Sequence, residues 1–424
     1  MDSLSKCEKG IKLKKNKKYD HKSQFETLLG IDQCNAVIPK EQAVQNSFKY
    51  MYYKFGTGIF VQIKDNKLLH YYQFYNSDFK NEFSHLIKTD MSYFKNIKTR
   101  KKPLPKERWK ANNCLIKVIQ DDEISEHFVA EFKSMLEGTL KTHKVKDICF
   151  FINRKDFPIW HKLGMEPYHH IYGENVPLRS HKYSKYAPIY GLTNRLDLFK
   201  DVMIPTHDCW QLITQKYYPP TCINPYTFDK TVVPWDKKKR TAIFRGSSTG
   251  CFVDLRNPRL LIGKINQEWN KTGSKYKGWI DAGVTREVRK DKKSLGSDQL
   301  QRVNLKKLGI EPVSPVSMGE QKHYKYVFDI EGNVTAFRIG ALLSFGSVIL
   351  RVESEYKMWI DQYLKPKVHY IPIKRDFSDL AAILKWCHTH DEACQRLAAN
   401  ARRAYERYFN KPFVYKYLNK VLNE

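Results

Sequence analysis

At 424 residues the chain exceeds the size at which one hydrophobic core usually stops growing, so two domains are expected. A hydrophobic share of 42% with 13% aromatics excludes a disordered chain. The net charge of +29 would draw polyanions, so nucleic acid and anionic membrane surfaces enter as partners; yet the Lys/Arg clusters at 6–18, 95–110 and 286–293 match no nucleic-acid module.

Residues 1–25 read as a basic flexible arm. Between Ser47 and Lys88 partial apolar–polar alternation, as in YMYYKFGTGIFVQI and KLLHYYQFY, predicts short strands with turns at Gly56-Thr57-Gly58 and Asp65-Asn66. Pro103–Lys110 reads as a linker or surface loop. A strand is expected at Asn113–Val118. A helix follows at Glu123–Leu140 with Phe128, Phe132 and Leu136 on one face, then a strand at Lys146–Asn153. This rhythm predicts an α/β fold with a parallel sheet. A second α/β unit is expected from Thr241: strand 241–245, helix 260–269, strand 278–281, the Lys325–Leu350 segment and strand 369–373. Helices at 378–388 and 391–409 close the chain.

Nine cysteines lie far apart with no Cys-x-x-Cys pair, which argues against a disulfide framework or zinc site and fits a reducing compartment. Met1–Lys18 has no apolar run, Ile339–Leu350 is too short and polar to span a bilayer, and Val421–Glu424 is no ER-retention tail. A cytoplasmic location is therefore expected.

The segment KYVFDIEGNVTAFRIGALLSFGSVIL, Lys325–Leu350, is the most informative. It reads as a strand (Tyr326–Ile330), a turn at Glu331-Gly332-Asn333, a helix carrying Arg338 about one turn in, and a strand (Ser347–Val352). A helix start beyond a strand end favours an anion, and an arginine there adds a two-pronged donor suited to phosphate. The alternative is an Arg338 that pairs with Asp329 or Glu331. Arg245-Gly246-Ser247-Ser248-Thr249-Gly250 follows a strand, and its small residues allow close approach of backbone to phosphate, though such loops are commonly just loops. Asp156 sits past the end of the Lys146–Asn153 strand, where ligand-binding groups gather; a turn or N-cap role before Phe157-Pro158 is the competing reading. Neighbouring Arg154 and Lys155 should keep it ionised. His169-His170 and His207-Asp208 lack zinc spacing, and Cys209 beside His207 is a poor nucleophile candidate.

The Lys325–Leu350 segment resembles glycosyltransferase family 90, the capsule-associated-protein-like and protein O-glucosyltransferase enzymes. The resemblance continues through Val368–Lys374 and Asp379–Trp386. Upstream it takes in Pro234-Trp235, Ala242–Thr249, Trp279–Ala282 and Ile152–Pro158, about Val145 to Phe409 in all. It implies a GT-B fold of two Rossmann-like domains facing a cleft, closed by C-terminal helices. The expected divisions are 1–25 arm, 26–200 acceptor-side domain, 201–375 nucleotide-sugar domain and 376–424 closing helices.

By the same resemblance, Asp156 is the general base in Arg154-Lys155-Asp156-Phe157-Pro158. Arg245, Gly246, Ser247, Thr249, Arg259, Thr335, Ala336, Phe337 and Arg338 form the donor site, with Arg256 a rival to Arg259. Ser248 stands where some relatives carry Arg. Glu331 or Asp329 is a candidate for orienting a donor-sugar or ribose hydroxyl. The implied reaction is inverting, metal-independent transfer of glucose or xylose from a UDP-sugar to a hydroxyl on a glycan or protein, with no cofactor. The basic arm is assigned peripheral contact with an anionic membrane. A nucleic-acid-binding protein and a catalytically inactive nucleotide-sugar-binding relative are the alternatives. A member rich in Lys, Asn, Tyr and Phe without a secretory signal suits a large DNA virus working in host cytoplasm.

Overall fold

The computed structural model describes residues 43–44, 47–48, 50–75, 123–160, 187–215, 226–250, 252–288, 292–293 and 300–424. The basic arm, the 103–110 loop, the 113–118 strand, His169-His170 and the clusters at 6–18 and 95–110 lie outside these residues. The chain divides into two units, each an α/β assembly. Unit 1 comprises residues 1–192, 197–202 and 415–424; unit 2 comprises 193–196 and 203–414.

In unit 1, strands β1 (Thr57–Lys64) and β2 (Lys67–Tyr75) form a hairpin. Its tip is Asp65-Asn66, both with positive φ (49° and 57°), as a two-residue turn matched to strand twist requires. Asn66 then ties the tip down, donating to Leu140 O and accepting from Val145 N. Helix α1 (Glu123–Thr142) buries Phe128, Phe132, Met135 and Leu136, the face its periodicity predicts. Strand β3 (Ile148–Ile152) is fully buried, and short strand β4 (Ile189–Gly191) follows. With β5 (Val202–Met203) the sheet order is β2-β1-β3-β4-β5.

Two expectations fail here. The sheet is mixed rather than parallel, because β1 runs antiparallel to both β2 and β3, and only β3–β4 is parallel among the registers described. Tyr50–Phe55, read as strand, is a π-helical turn ended by Gly56 (φ 74°). Its Tyr50, Met51 and Phe55 are all buried, so a tight coil serves a core that alternation had seemed to assign to a strand.

Unit 2 starts with helix α2 (His207–Thr214) and is built on strand β6 (Lys239–Ser247), helix α3 (Pro258–Trp269) and strand β7 (Ile280–Arg286). A small antiparallel ribbon, β8 (Lys292–Lys293) with β9 (Leu300–Gln301), and the one-turn helix α4 (Met318–Gln321) precede β10 (Tyr324–Asp329). Then come α5 (Ile339–Ser344), β11 (Val348–Val352), β12 (Ile371–Ile373), α6 (Leu380–Thr389), α7 (Asp391–Tyr408) and α8 (Lys411–Asn423). The last of these was not expected, and its residues from Tyr415 belong to unit 1.

The sheet of unit 2 is parallel, in the order β12-β11-β10-β6-β7. β10 is buried along its whole length and β11 at every residue but Arg351, as strands covered on both faces are. Phe244, Tyr326, Phe328, Ile349 and Leu350 are all at most 1% exposed, each contributing about 1.5–3 kcal/mol of burial. After β7 the chain returns past β6 to lay β10 on its other side. Strand order therefore reverses between β6 and β10, and such a switch point opens a crevice at the strands' carboxyl ends.

Candidate functional site

The two strand ends at the switch point are joined by one side chain. Asn257 caps α3, its Oδ1 accepting from Arg259 N (3.0 Å) while its Nδ2 reaches the carbonyls of Ser248, Thr249 and Phe252. This fastens the loop after β6 to the helix start. Gly250 (φ 148°) lies under the amide, where a Cβ would be 2.5 Å from Asn257 Nδ2. Arg259, in the first turn of α3, then points back across the strand ends. Its Nε donates to Glu331 O (2.8 Å), Nη2 to Ile330 O (3.0 Å), and Nη1 to Ser247 O (3.3 Å) and Thr249 Oγ1 (2.5 Å). Four of its five N–H groups are thus engaged within the protein. Gly332 packs against this guanidinium, a Cβ there falling 3.0 Å from Thr249 Oγ1 and 3.3 Å from Arg259 Nη2.

Arg338 approaches the same strand end from the other side. It is the N-cap of α5 rather than a residue one turn inside a helix, because 331–338 is an irregular loop and the helix begins at Ile339. At six residues α5 brings little dipole, so the cation rather than the helix supplies the positive charge. Its Nη1 donates to Arg245 O (2.7 Å), its one hydrogen bond among the described residues, which leaves four N–H groups for a ligand. The two guanidiniums lie 5.5 Å (Arg338) and 5.7 Å (Arg259) from the Phe244 ring centroid, a cation–π arrangement for both. Burial, then repulsion from Arg338, lowers the pKa of Arg259 to about 9, which leaves it charged at neutral pH. Burial likewise lowers that of Arg338.

Arg338 does not pair with Asp329 or Glu331. Asp329 Oδ2 accepts from Arg351 Nε (3.0 Å), and Arg351 also pairs with Asp361; Glu331 pairs with Arg375. Asp329 Oδ1, Glu331 Oε2 and Thr335 Oγ1 are buried without a hydrogen-bond partner among the described residues. Burial raises the pKa of Asp329 against the pull of Arg351. Four guanidiniums (259, 338, 351, 375) thus meet three carboxylates (329, 331, 361) around these strand ends, leaving an excess of positive charge for an anion to neutralise. Ala336 is buried, and Phe337 packs edge-on against His207 at 6.2 Å.

Several expected residues are placed differently. The Arg245 guanidinium is held by Asp281 (Nη2 to Oδ1 2.7 Å, Nη1 to the carbonyl 2.7 Å), Ser314 O and Phe244 O, so only its carbonyl joins the cluster. Gly246 and Ser247 are still strand, and Ser247 offers its carbonyl to Arg259. Ser248 is buried and accepts from Val288 N (2.8 Å). Arg256 forks onto Asp254 at the surface and lies over Phe252, whereas Arg259 reaches the strand ends. Cys209 is buried, and burial with Asp208 nearby pushes its thiol up, which makes it inert. Asn257, Arg375 and the Arg351–Asp361 pair were missed. The Asn-Pro opening of α3 is a cap signature that could have flagged Asn257; ion pairs between distant residues leave no local mark.

Asp156 belongs to unit 1, exposed in the loop that follows β3. Arg154 is turned to Thr57 Oγ1 (3.0 Å) and the Phe128 ring (5.8 Å).

The family model described as glycosyl transferase family 90 matches residues 81–424. The chain belongs to glycosyl transferase family 90. It is 33% identical to "Uncharacterized protein 179R" of Invertebrate iridescent virus 6 over 89% of this chain and 36% of that relative. It is 32% identical to "Uncharacterized protein 035R" of Invertebrate iridescent virus 3 over 90% of this chain and again 36% of the relative. The chain thus spans little more than a third of these viral relatives. Protein O-glucosyltransferase 1 of Homo sapiens is 27% identical over 45% of this chain and 43% of its own length. Among the described residues no helix is long and apolar enough to cross a membrane.

Proposed function

We propose that this family 90 member transfers a hexose or pentose, glucose or xylose, from a UDP-sugar to a hydroxyl on a glycan or protein. The observation that carries the reading is the Arg259–Arg338 pair on Phe244 at the switch point of the parallel sheet. A departing diphosphate needs fixed positive charge in a partly dry setting, and two guanidiniums supply what a divalent cation otherwise would. On this ground the proposal includes metal independence. Arg259 is the internal brace with one N–H to give; Arg338, held by one bond, contacts the diphosphate. The unpartnered oxygens of Glu331 and Asp329 suit donor hydroxyls of the ribose or sugar. Asp156 takes the proton of the attacking hydroxyl, giving inversion in a single displacement. The GT-B type of the fold, a cytoplasmic site of action and contact of the basic arm with an anionic membrane belong to the same proposal.

Thermal stabilisation by UDP, UDP-glucose and UDP-xylose at near-physiological salt tests it. Ligand at about 100 times its dissociation constant stabilises by about 2.7 kcal/mol. A uridine-selective shift that vanishes in Arg338→Ala is expected. Absence of any shift with every nucleotide sugar overturns the donor-site reading.

A further inference from the structure

For the eight residues beyond β3, Asn153 to Trp160, the chain has no regular structure, yet almost every one is tied down by a buried side chain of unit 1. Asn153, 1% exposed, accepts from Lys155 N (2.9 Å) on its Oδ1 and donates its Nδ2 to Phe157 O (2.7 Å). The same amide therefore closes a loop around Asp156. Arg154 is fixed on Thr57, and Phe157 packs against Phe55 with ring centroids 6.2 Å apart. Pro158 is buried. Beyond it, Ile159 N and Trp160 N donate to the two oxygens of one carboxylate, Asp201 Oδ1 (2.9 Å) and Oδ2 (2.7 Å). Tyr50 Oη donates to Ile159 O (2.7 Å), and Lys200 N to Trp160 O (2.8 Å). Asp156 is the exposed residue of this fastened loop.

A carboxylate that is 2% exposed is costly to keep in a fold. Here burial raises the Asp201 pKa to about 7, against the pull of its main-chain N–H partners. A fold that needed only to fill space would do better with an apolar side chain. What an acceptor pair supplies, and an apolar group does not, is a fixed direction for two consecutive amides.

We infer that Asp201 is a positioning residue for Asp156, with Asn153 as its counterpart on the opposite side of the loop. The inference rests on Asp156 being the base. Asp201 holds the outgoing segment Ile159-Trp160, and Asn153 holds Lys155 and Phe157 on either side of Asp156, so the backbone that carries Asp156 is set by buried anchors. A displacement of about 1 Å at a reacting group costs on the order of 100-fold in rate, which makes such anchoring worth a buried ionisable group that is costly to keep.

The test compares wild type, Asp156→Asn, Asp201→Asn and Tyr50→Phe by UDP release from UDP-glucose and UDP-xylose with water as acceptor, with kcat and donor KM measured separately. Asp201→Asn presents an N–H donor to one of the two amides, so one bond is lost and the segment shifts. The expected result is a kcat at least about tenfold lower with donor KM within about twofold of wild type. Because unfolded protein lowers apparent kcat without moving KM, kcat is expressed per UDP-binding site titrated in each variant, so that a lower value reports the chemistry of folded enzyme. Tyr50→Phe removes one bond to the same segment and should lower kcat by about threefold; it carries the test alone if Asp201→Asn does not fold. A kcat within twofold of wild type in a folded Asp201→Asn or in Tyr50→Phe, while Asp156→Asn is dead, overturns the inference and leaves the base intact. An Asp156→Asn that keeps its rate removes the base reading itself, and the inference with it.

Discussion

The Asp156 loop of unit 1 and the arginine cluster of unit 2 present a charge in opposite ways. In unit 2 the parallel sheet supplies the rigidity. Its strand ends are fixed by main-chain pairing, and Arg259 staples them so that Arg338 is left with one bond and four available N–H groups. In unit 1 no strand continues past Ile152, so side chains do the fastening, residue by residue, with a buried carboxylate among them. A regular sheet can carry a loosely held functional group; an irregular loop needs its neighbours saturated first.

The largest expected effect isolates Arg338. Arg338→Ala should lower kcat about 10²–10³-fold while leaving the melting temperature nearly unchanged, as steady-state kinetics and a thermal scan would show. The contrast with the loop is sharpest in its pH dependence. Folded, Asp201 keeps its proton up to about pH 7; unfolded, it loses it near 3.8. Between those values the folded state holds more protons, so this group makes stability fall as pH rises, by on the order of 2–4 kcal/mol across the window. Urea unfolding at pH 4.5 to 7.5 should show that slope in wild type and a flatter one in Asp201→Asn.

Arg259→Ala inverts the Arg338 result. Removing a brace that leaves the carbonyls of Ile330 and Glu331 without donors should cost about 2–3 kcal/mol of stability, with UDP affinity falling as a consequence. If Arg259→Ala were fully stable, the division between brace and contact would be wrong. Asp281→Asn loosens the Arg245 clamp and should cost about 1–2 kcal/mol with UDP affinity within about threefold. Smallest of all, Arg256→Ala touches an exposed pair and should change stability by less than about 0.5 kcal/mol. A large loss of UDP affinity there would return Arg256 to the donor site.

The parallel sheet was the legible part of the chain. β6 and β10 were placed to within a few residues because their centres, Ala242–Phe244 and Tyr326–Phe328, are short buried apolar runs and burial writes itself into composition. The mixed sheet was not legible, since strand direction depends on where the chain returns. Apolar side chains at Tyr50, Met51 and Phe55 look alike whether a strand or a π-helical turn buries them. Helix α8 was passed over although Val414, Tyr417, Leu418, Val421 and Leu422 are buried at helical spacing. Pro412 stands in its first turn, where proline is tolerated. Arg338 could be singled out as a charge in an apolar setting. Asp201 could not, because nothing near it in sequence marks the amides it receives.

The chain passes between its two units after residues 192, 196, 202 and 414. Residues 415–424 return to the fold begun by the first half: Asn423 accepts from Lys146 N (2.8 Å), Tyr190 Oη donates to Val421 O (3.0 Å), and the Tyr415 ring fills the space beside Gly138. During synthesis the hairpin, α1 and β3 of unit 1 must therefore wait for more than two hundred further residues to be translated before their last strut exists. A fragment cut at 202 therefore lacks residues 415–424 and with them the bonds to Lys146 and Tyr190.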